Sequence, residues 1–315
     1  MPIANRRRAG IDVGGTKCLG VVWQNGKIVQ EVRRDTPKGA DDIIETLVSI
    51  VRELGEVDSV GVGVPGLVTR QGVLRAAPNL VDIADFAVGP ILRDILQCDI
   101  AVENDATCAA VAEWSVGAAQ GVDDVVVVTL GTGIGGGLVS GGRLVRGING
   151  FAGEIGHMIV DPSGPKCVCG QRGCWERYAS GNGLAYLGTL AAERGHAHMV
   201  QTLAGGSTNI RGEHIREAAL LGDDEALAIV DEFARWVALG LSNLTNLLDP
   251  SMLVIGGGLA GSGDLFLQPI QRWFGELLYS PELRPHPKLV LAKFAEQAGA
   301  IGAALLPEYA HISDI

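Results

Sequence analysis

Four residues in one stretch have the chemistry of a metal centre. His157 is followed by Cys167, Cys169 and Cys174, and three thiolates with one imidazole form the tetrahedral set that zinc takes in structural sites. Gly164, Gly170 and Gly173 lie in the same stretch and let it turn sharply about one ion. Four protein ligands leave no open position for water, so the expected role is bracing rather than catalysis. The plain alternative is a set of free thiols in a surface loop. Glu154 precedes His157 and Glu176 follows Cys174. A pinned loop would present these two carboxylates to the adjacent hydroxyls of a neutral polyol; without it each reads as an ordinary surface charge.

A second chemistry lies in two glycine turns. Gly14-Gly15-Thr16-Lys17 and Gly131-Thr132-Gly133 each fall between strand-like stretches. Such a turn offers backbone N–H groups and a hydroxyl with no side chain in the way, which is how a phosphate is held. Lys17 adds a positive charge, and Asp12 a carboxylate at which Mg²⁺ bridges to phosphates. One copy alone reads equally well as a plain hairpin. Gly131–Gly136 also fits G-x-G-x-x-G, but that fingerprint needs a helix next, and here the hairpin pattern continues to Gly141-Gly142. Neither a P-loop nor the protein-kinase signatures occur.

Glu103-Asn104-Asp105 stands where a strand ends and a helix begins. Asp105 has two readings: a helix N-cap, or a base that takes the proton of a hydroxyl attacking phosphorus, kept ionised by the helix N-terminus. Taken alone, the cap is favoured; beside two phosphate-type turns, the base is.

The elements that must position these groups alternate between strand and helix, which implies an α/β fold. Strands are expected at Ala9–Val13, Cys18–Trp23, Lys27–Arg33, Ser59–Val64, Ile100–Glu103, Val125–Leu130 and Met252–Ile255. Asn25-Gly26 is a hairpin signal. Helices are expected over Asp41–Leu54, around Ile91–Leu96, over Ala106–Val116, and over Asp224–Leu248, where Asp249-Pro250 stops the run. The stretches at 10–29 and 129–145 superimpose at an offset of 116 residues, with Gly15, Thr16, Gly20 and Gly26 falling on Gly131, Thr132, Gly136 and Gly142. Chance matching of glycines is the bland explanation. The matched Thr, basic and aliphatic positions favour two similar domains, each offering a glycine turn to a shared cleft.

Composition narrows the function classes. The 315 residues are 47% hydrophobic, enough for a packed core, and include 45 glycines. A net charge of −11 argues against nucleic acid as a partner. The longest apolar run, Val125–Leu130, is far short of the ~20 residues a bilayer helix needs, and the start has no signal-peptide core. A cytoplasmic protein with no membrane partner is expected, and there clustered cysteines favour metal over disulfides. Cys18, Cys98 and Cys108 read as small core residues.

These motifs, together with GVPG at 63–66, APNL at 77–80, AGEIGH at 152–157, CVCGQRGCWE at 167–176 and IGGG at 255–258, resemble the ROK family of repressors and sugar kinases, most closely its bacterial glucokinases. The resemblance covers nearly the whole chain. It implies the actin-like/hexokinase fold, two ribonuclease-H-like domains around a cleft. These would be residues 1–117, completed by a C-terminal helix at about 298–315, and a larger domain at 118–297 with the zinc loop. It implies Asp105 as general base, and Asn104, Glu154, His157 and Glu176 as sugar ligands with Asn79 and Gly66. Asp12, Gly14, Gly15, Thr16, Lys17, Gly131, Thr132 and Gly133 would hold nucleotide phosphate and Mg²⁺, with Gly256, Gly257 and Gly258 flanking the adenosine. Val81-Asp82-Ile83 stands where many relatives have Gly-Trp. The first phosphate turn begins at Asp12, leaving no room for the winged helix of family repressors.

The expectation is an ATP-dependent glucokinase with structural Zn²⁺, acting on the 6-hydroxyl of glucose as a homodimer or homotetramer. The alternatives are a kinase for an N-acetylhexosamine or another hexose, a polyphosphate donor, a non-catalytic sugar sensor and an actin-like ATPase.

Overall fold

The computed structural model describes residues 5–77 and 84–310. Its contacts divide the chain into two units: one takes the chain up to Val127, Gly136–Gly153 and the part from Ala292; the other takes Val128–Gly135 and Glu154–Leu291.

The first unit is built on β1 (Arg8–Val13), β2 (Lys17–Gln24), β3 (Lys27–Asp35), α1 (Ala40–Leu54), β4 (Ser59–Val64), β5 (Leu67–Val68), β6 (Leu74–Ala76), β7 (Ala84–Phe86), α2 (Val88–Leu96), β8 (Asp99–Asn104) and α3 (Asp105–Ser115). Its main sheet runs β3-β2-β1-β4-β8, with β1, β4 and β8 parallel and the β1-β2-β3 meander antiparallel. Apolar residues of α1 recur at helical spacing, and Ile43, Ile44, Leu47, Ile50, Val51 and Leu54 are all buried. Leu47 and Ile50 are fully so, and each contributes about 1.5–3 kcal/mol relative to an exposed side chain.

The last helix, α10 (Ala298–Ala310), belongs to this unit. It approaches by its backbone: a β-carbon on Gly61 of β4 would overlap the Ala303 carbonyl, and one on Gly302 would overlap that of Cys108. Only glycine permits approach this close. Ile301, Ala303 and Ala304 complete a core with Cys108, Ala109 and Ala112 of α3, and the buried Arg8 is paired with Glu308.

The second sheet runs β11-β10-β9-β12-β13, formed by β9 (Val125–Leu130), β10 (Ile134–Ser140), β11 (Arg143–Leu144), β12 (Met252–Gly256) and β13 (Lys288–Leu291). Its strands follow the same chain order as those of the first sheet, so the internal repeat is a repeat of topology. Both copies even share their hairpin turn. Asn25 and Gly26 have φ of 53° and 76°, and Gly141 and Gly142 have 55° and 69°, the left-handed pair of a type I′ turn. The fold is the α/β actin-like/hexokinase one.

The second unit adds α4 (Glu176–Ala179), α5 (Gly181–Glu193), α6 (His198–Ala204), α7 (Gly212–Leu220), α8 (Asp224–Leu248) and α9 (Asp264–Leu277). α8 ends as expected before Pro250, with Asp249 in the left-handed region at φ 43°. No helix among the described residues is long and apolar enough to cross a membrane.

Candidate active site

In the first unit the acidic groups cluster at the carboxyl ends of parallel strands, where α/β sheets bind ligands. The pairings Asp12–Gly63 and Gly63–Glu103 put these three residues in one row across β1, β4 and β8. Gly63 leaves the middle of that row open: the place its β-carbon would take lies 3.4 Å from the Cα of Asp105. Asp105 is the first residue of α3, and its Oδ1 accepts the Ala106 N–H at 2.8 Å. Burial pushes its pKa up, and the Ala106 amide opposes the rise. Asp12 is raised as well, to about 7, by its own burial and by the charge of Asp105. Its carboxylate lies against Gly299, in the first turn of α10.

The cap reading of Asp105 is corrected here. Asn104 is the N-cap, its Oδ1 accepting from Ala106 N at 2.9 Å and Thr107 N at 3.1 Å. Aspartate and asparagine are equally good caps, so adjacency alone did not separate them. Asn104 Nδ2 donates to the Gly66 carbonyl at 3.2 Å, which leaves one N–H of that amide for a ligand. Gly66 has φ 111° and serves that turn through its backbone. Asn79 lies outside the described residues.

The first glycine turn is closed by Gly14 N–H to Lys17 O at 2.9 Å and braced by Thr36 Oγ1 to Gly14 O at 2.7 Å. Gly15, Thr16 and Lys17 are exposed.

In the second unit the matching turn is closed differently, by Gly131 N–H to Gly133 O at 3.0 Å, and Gly181 N–H donates to Gly131 O at 2.8 Å. Gly181 opens α5, capped by Ser180. The amino end of a 13-residue helix thus stands beside Gly131-Thr132-Gly133, a placement that favours an anion. Sequence reading missed this, although Ser180-Gly181-Asn182-Gly183 carries a cap followed by small residues. Gly256 ends β12 and Gly257 turns at φ 84° against Leu130, while Gly258 is exposed.

His157, Cys167, Cys169 and Cys174 bring one ligand atom each within 4.8 Å of one another. Cys169 Sγ and Cys174 Sγ are 3.6 Å apart, and Cys167 Sγ is 3.7 Å from His157 Nδ1. A tetrahedral ion with bonds of about 2.3 Å to sulfur and about 2.0 Å to nitrogen needs S···S and S···N separations of about 3.8 and about 3.5 Å. The four residues therefore fit zinc. Cys18 and Cys108 are buried and Cys98 partly so, all three as free thiols.

The loop is anchored by aromatic packing. Trp175 is fully buried and donates to Trp236 O at 2.7 Å, while Tyr178 stacks on Trp236 at 4.0 Å and donates to Asp161 at 2.6 Å. With Nδ1 facing the thiols, His157 turns Nε2 towards Glu154, 4.0 Å from its Oε2. Glu176 Oε1 accepts from Cys167 Sγ at 3.1 Å and lies 3.9 Å from His157 Nδ1. Glu154 and Glu176 thus lie on either side of His157 in the cysteine loop, a polar group able to accept and donate hydrogen bonds.

A model of the ROK family matches residues 8–309. The chain is 37% identical over 306 residues to the glucokinase of Streptomyces coelicolor, covering 94% of this chain and 95% of that protein. It is 36% identical over 314 residues to the N-acetyl-D-glucosamine kinase of Pectobacterium atrosepticum, covering 94% and 97%. Among solved structures it matches a ROK family glucokinase from Streptomyces griseus in complex with glucose and AMPPNP. That match has a TM-score of 0.85 and 38% identity, over 95% of this chain and 98% of that one.

Proposed function

The chain belongs to the ROK family, and we propose that it is a kinase that moves the γ-phosphoryl group of ATP to the 6-hydroxyl of glucose. The observation that carries this reading is Asp105: a carboxylate at the start of α3, at the carboxyl end of the parallel strands, whose pKa burial raises. It takes the proton of the hydroxyl as that oxygen attacks phosphorus. Glu154, Glu176 and His157 Nε2 hold sugar hydroxyls, joined by the free N–H of Asn104 and by the segment around Gly66 and Asn79. Gly14–Lys17 and Gly131–Gly133 hold phosphate oxygens on backbone N–H groups and threonine hydroxyls, with Gly256–Gly258 beside the adenosine.

Two metal ions belong to this proposal. The charge of Asp105 opposes the ionisation of Asp12, and a bound divalent cation would offset that repulsion. Asp12 would hold Mg²⁺ brought with the nucleotide, which when bound neutralises charge on the phosphates. His157, Cys167, Cys169 and Cys174 would hold zinc, which braces the sugar-binding loop. Thiolates of this kind suit a reducing cytosol, and the family resemblance implies a homodimer or homotetramer.

The experiment is sugar-dependent ADP release with ATP and Mg²⁺ over a panel of glucose, mannose, N-acetylglucosamine and N-acetylmannosamine. Stimulation by glucose above the others supports the proposal. Preference for an N-acetylhexosamine, the second reading favoured by the Pectobacterium relative, keeps the chemistry and changes the substrate.

A further inference from the structure

We infer that Arg146 is a positioning residue for phosphoryl transfer, acting through Glu103 on the strand-to-helix turn that carries Asp105. This rests on Asp105 being the base. Arg146 follows β11, 43 residues from its partner, and its Nε donates to Glu103 Oε2 at 2.5 Å. Both side chains are buried, at 5% and 1% exposure. An ion pair so deprived of water is weak evidence of stability, because desolvation offsets its attraction; its effect here is on geometry.

The other Glu103 oxygen, Oε1, accepts the Asn104 N–H at 3.0 Å. Asn104 is the residue that caps α3 and ties it to Gly66. A chain of directed bonds therefore runs from Arg146 through Glu103 to Asn104, and Asp105 is the next residue. Arg146 is itself held from both sides: its carbonyl accepts Ala152 N–H at 3.1 Å, and the following carbonyl, of Gly147, accepts Arg70 Nε at 2.9 Å. Burial raises the Glu103 pKa and the Arg146 charge opposes that rise, so the pair favours the charged carboxylate, the stronger and better oriented acceptor. Without it Glu103 takes up a proton or turns away, and the Asp105 turn loses one of its supports. A displacement of about 1 Å in such a group costs about a hundredfold in rate.

The test compares wild type, Arg146→Met, Arg146→Lys and the double variant Glu103→Gln/Arg146→Met in kcat, sugar KM and melting temperature. The double variant removes both charges, so it avoids stranding a buried carboxylate. The proposal expects Arg146→Met and the double variant to lose about a hundredfold in kcat, with a smaller rise in sugar KM because Asn104 of the same turn also meets the sugar. It expects the double variant to regain melting temperature without regaining kcat, and Arg146→Lys to recover part of the rate. A double variant that recovers both stability and kcat, or an Arg146→Met enzyme with wild-type kcat, overturns the positioning role alone. A wild-type protein with no sugar-dependent turnover overturns the kinase reading and this proposal with it.

Discussion

Glu176 Oε2 lies 2.7 Å from the point where a β-carbon on Gly133 would stand. The other oxygen of the same carboxylate reaches Cys167 Sγ at 3.1 Å. One side chain thus touches both the metal loop and the second glycine turn of its unit. Gly133→Ala would push the end of Glu176 aside, a cheap move for a flexible side chain, so melting temperature should hardly change. The proposed sugar bond from Glu176 would weaken, and kcat/KM for the sugar should fall about 10–100-fold, the worth of one hydrogen bond to a charged group. An unchanged kcat/KM would remove Glu176 from the sugar site.

Asp105→Asn should leave folding intact, because Asn104 supplies the helix cap. The substitution also removes a carboxylate that burial disfavours when ionised, so melting at neutral pH should be equal or higher. Turnover should drop about 10²–10⁴-fold with the loss of a general base. Thermal melting and steady-state kinetics on the same preparation separate the two effects.

Asp12 makes stability depend on pH. Its pKa rises from 3.8 to about 7 in the folded chain, so the protonated form is the one the fold favours. The stabilisation is fully present below about pH 4 and lost as pH rises through about 7, with a ceiling of about 4 kcal/mol. In metal-free buffer Asp12→Asn should flatten the fall in melting temperature between pH 4 and 8, while lowering activity with ATP and Mg²⁺. A wild-type melting profile no steeper than that of Asp12→Asn would contradict the assignment.

The metal loop predicts about one zinc per chain. Cys169→Ser should lower metal content and melting temperature together, since folding and ligation are coupled. Metal content by atomic emission that stays at the wild-type level would show that the cluster does not hold the ion.

Much of this was readable from local pattern. The strand at Val125–Leu130 and the helix at Asp224–Leu248 lie where apolar runs and Asp249-Pro250 put them, and Asn25-Gly26 with Gly141-Gly142 marked equivalent turns of the repeat. What pattern left out was long-range or degenerate. Glu103 and Arg146 are too far apart in sequence for either to point to the other. Glu113 is buried on α3, where its carboxylate accepts the backbone N–H groups of Ala118, Lys293 and Phe294; in sequence it looks like any helix glutamate. Asn104 and Asp105 both cap helices well, so only the backbone could choose between them. The four metal-type ligands were legible because thiolates and imidazole at close spacing have few other uses.

The most direct test of the central claim is ADP release from ATP and Mg²⁺, with and without glucose, for wild type and Asp105→Asn measured side by side. Glucose should stimulate release by the wild type, and that stimulated release should fall at least about a hundredfold in the variant. Release by the wild type that is indifferent to sugar, or a variant as fast as the wild type, would contradict that claim.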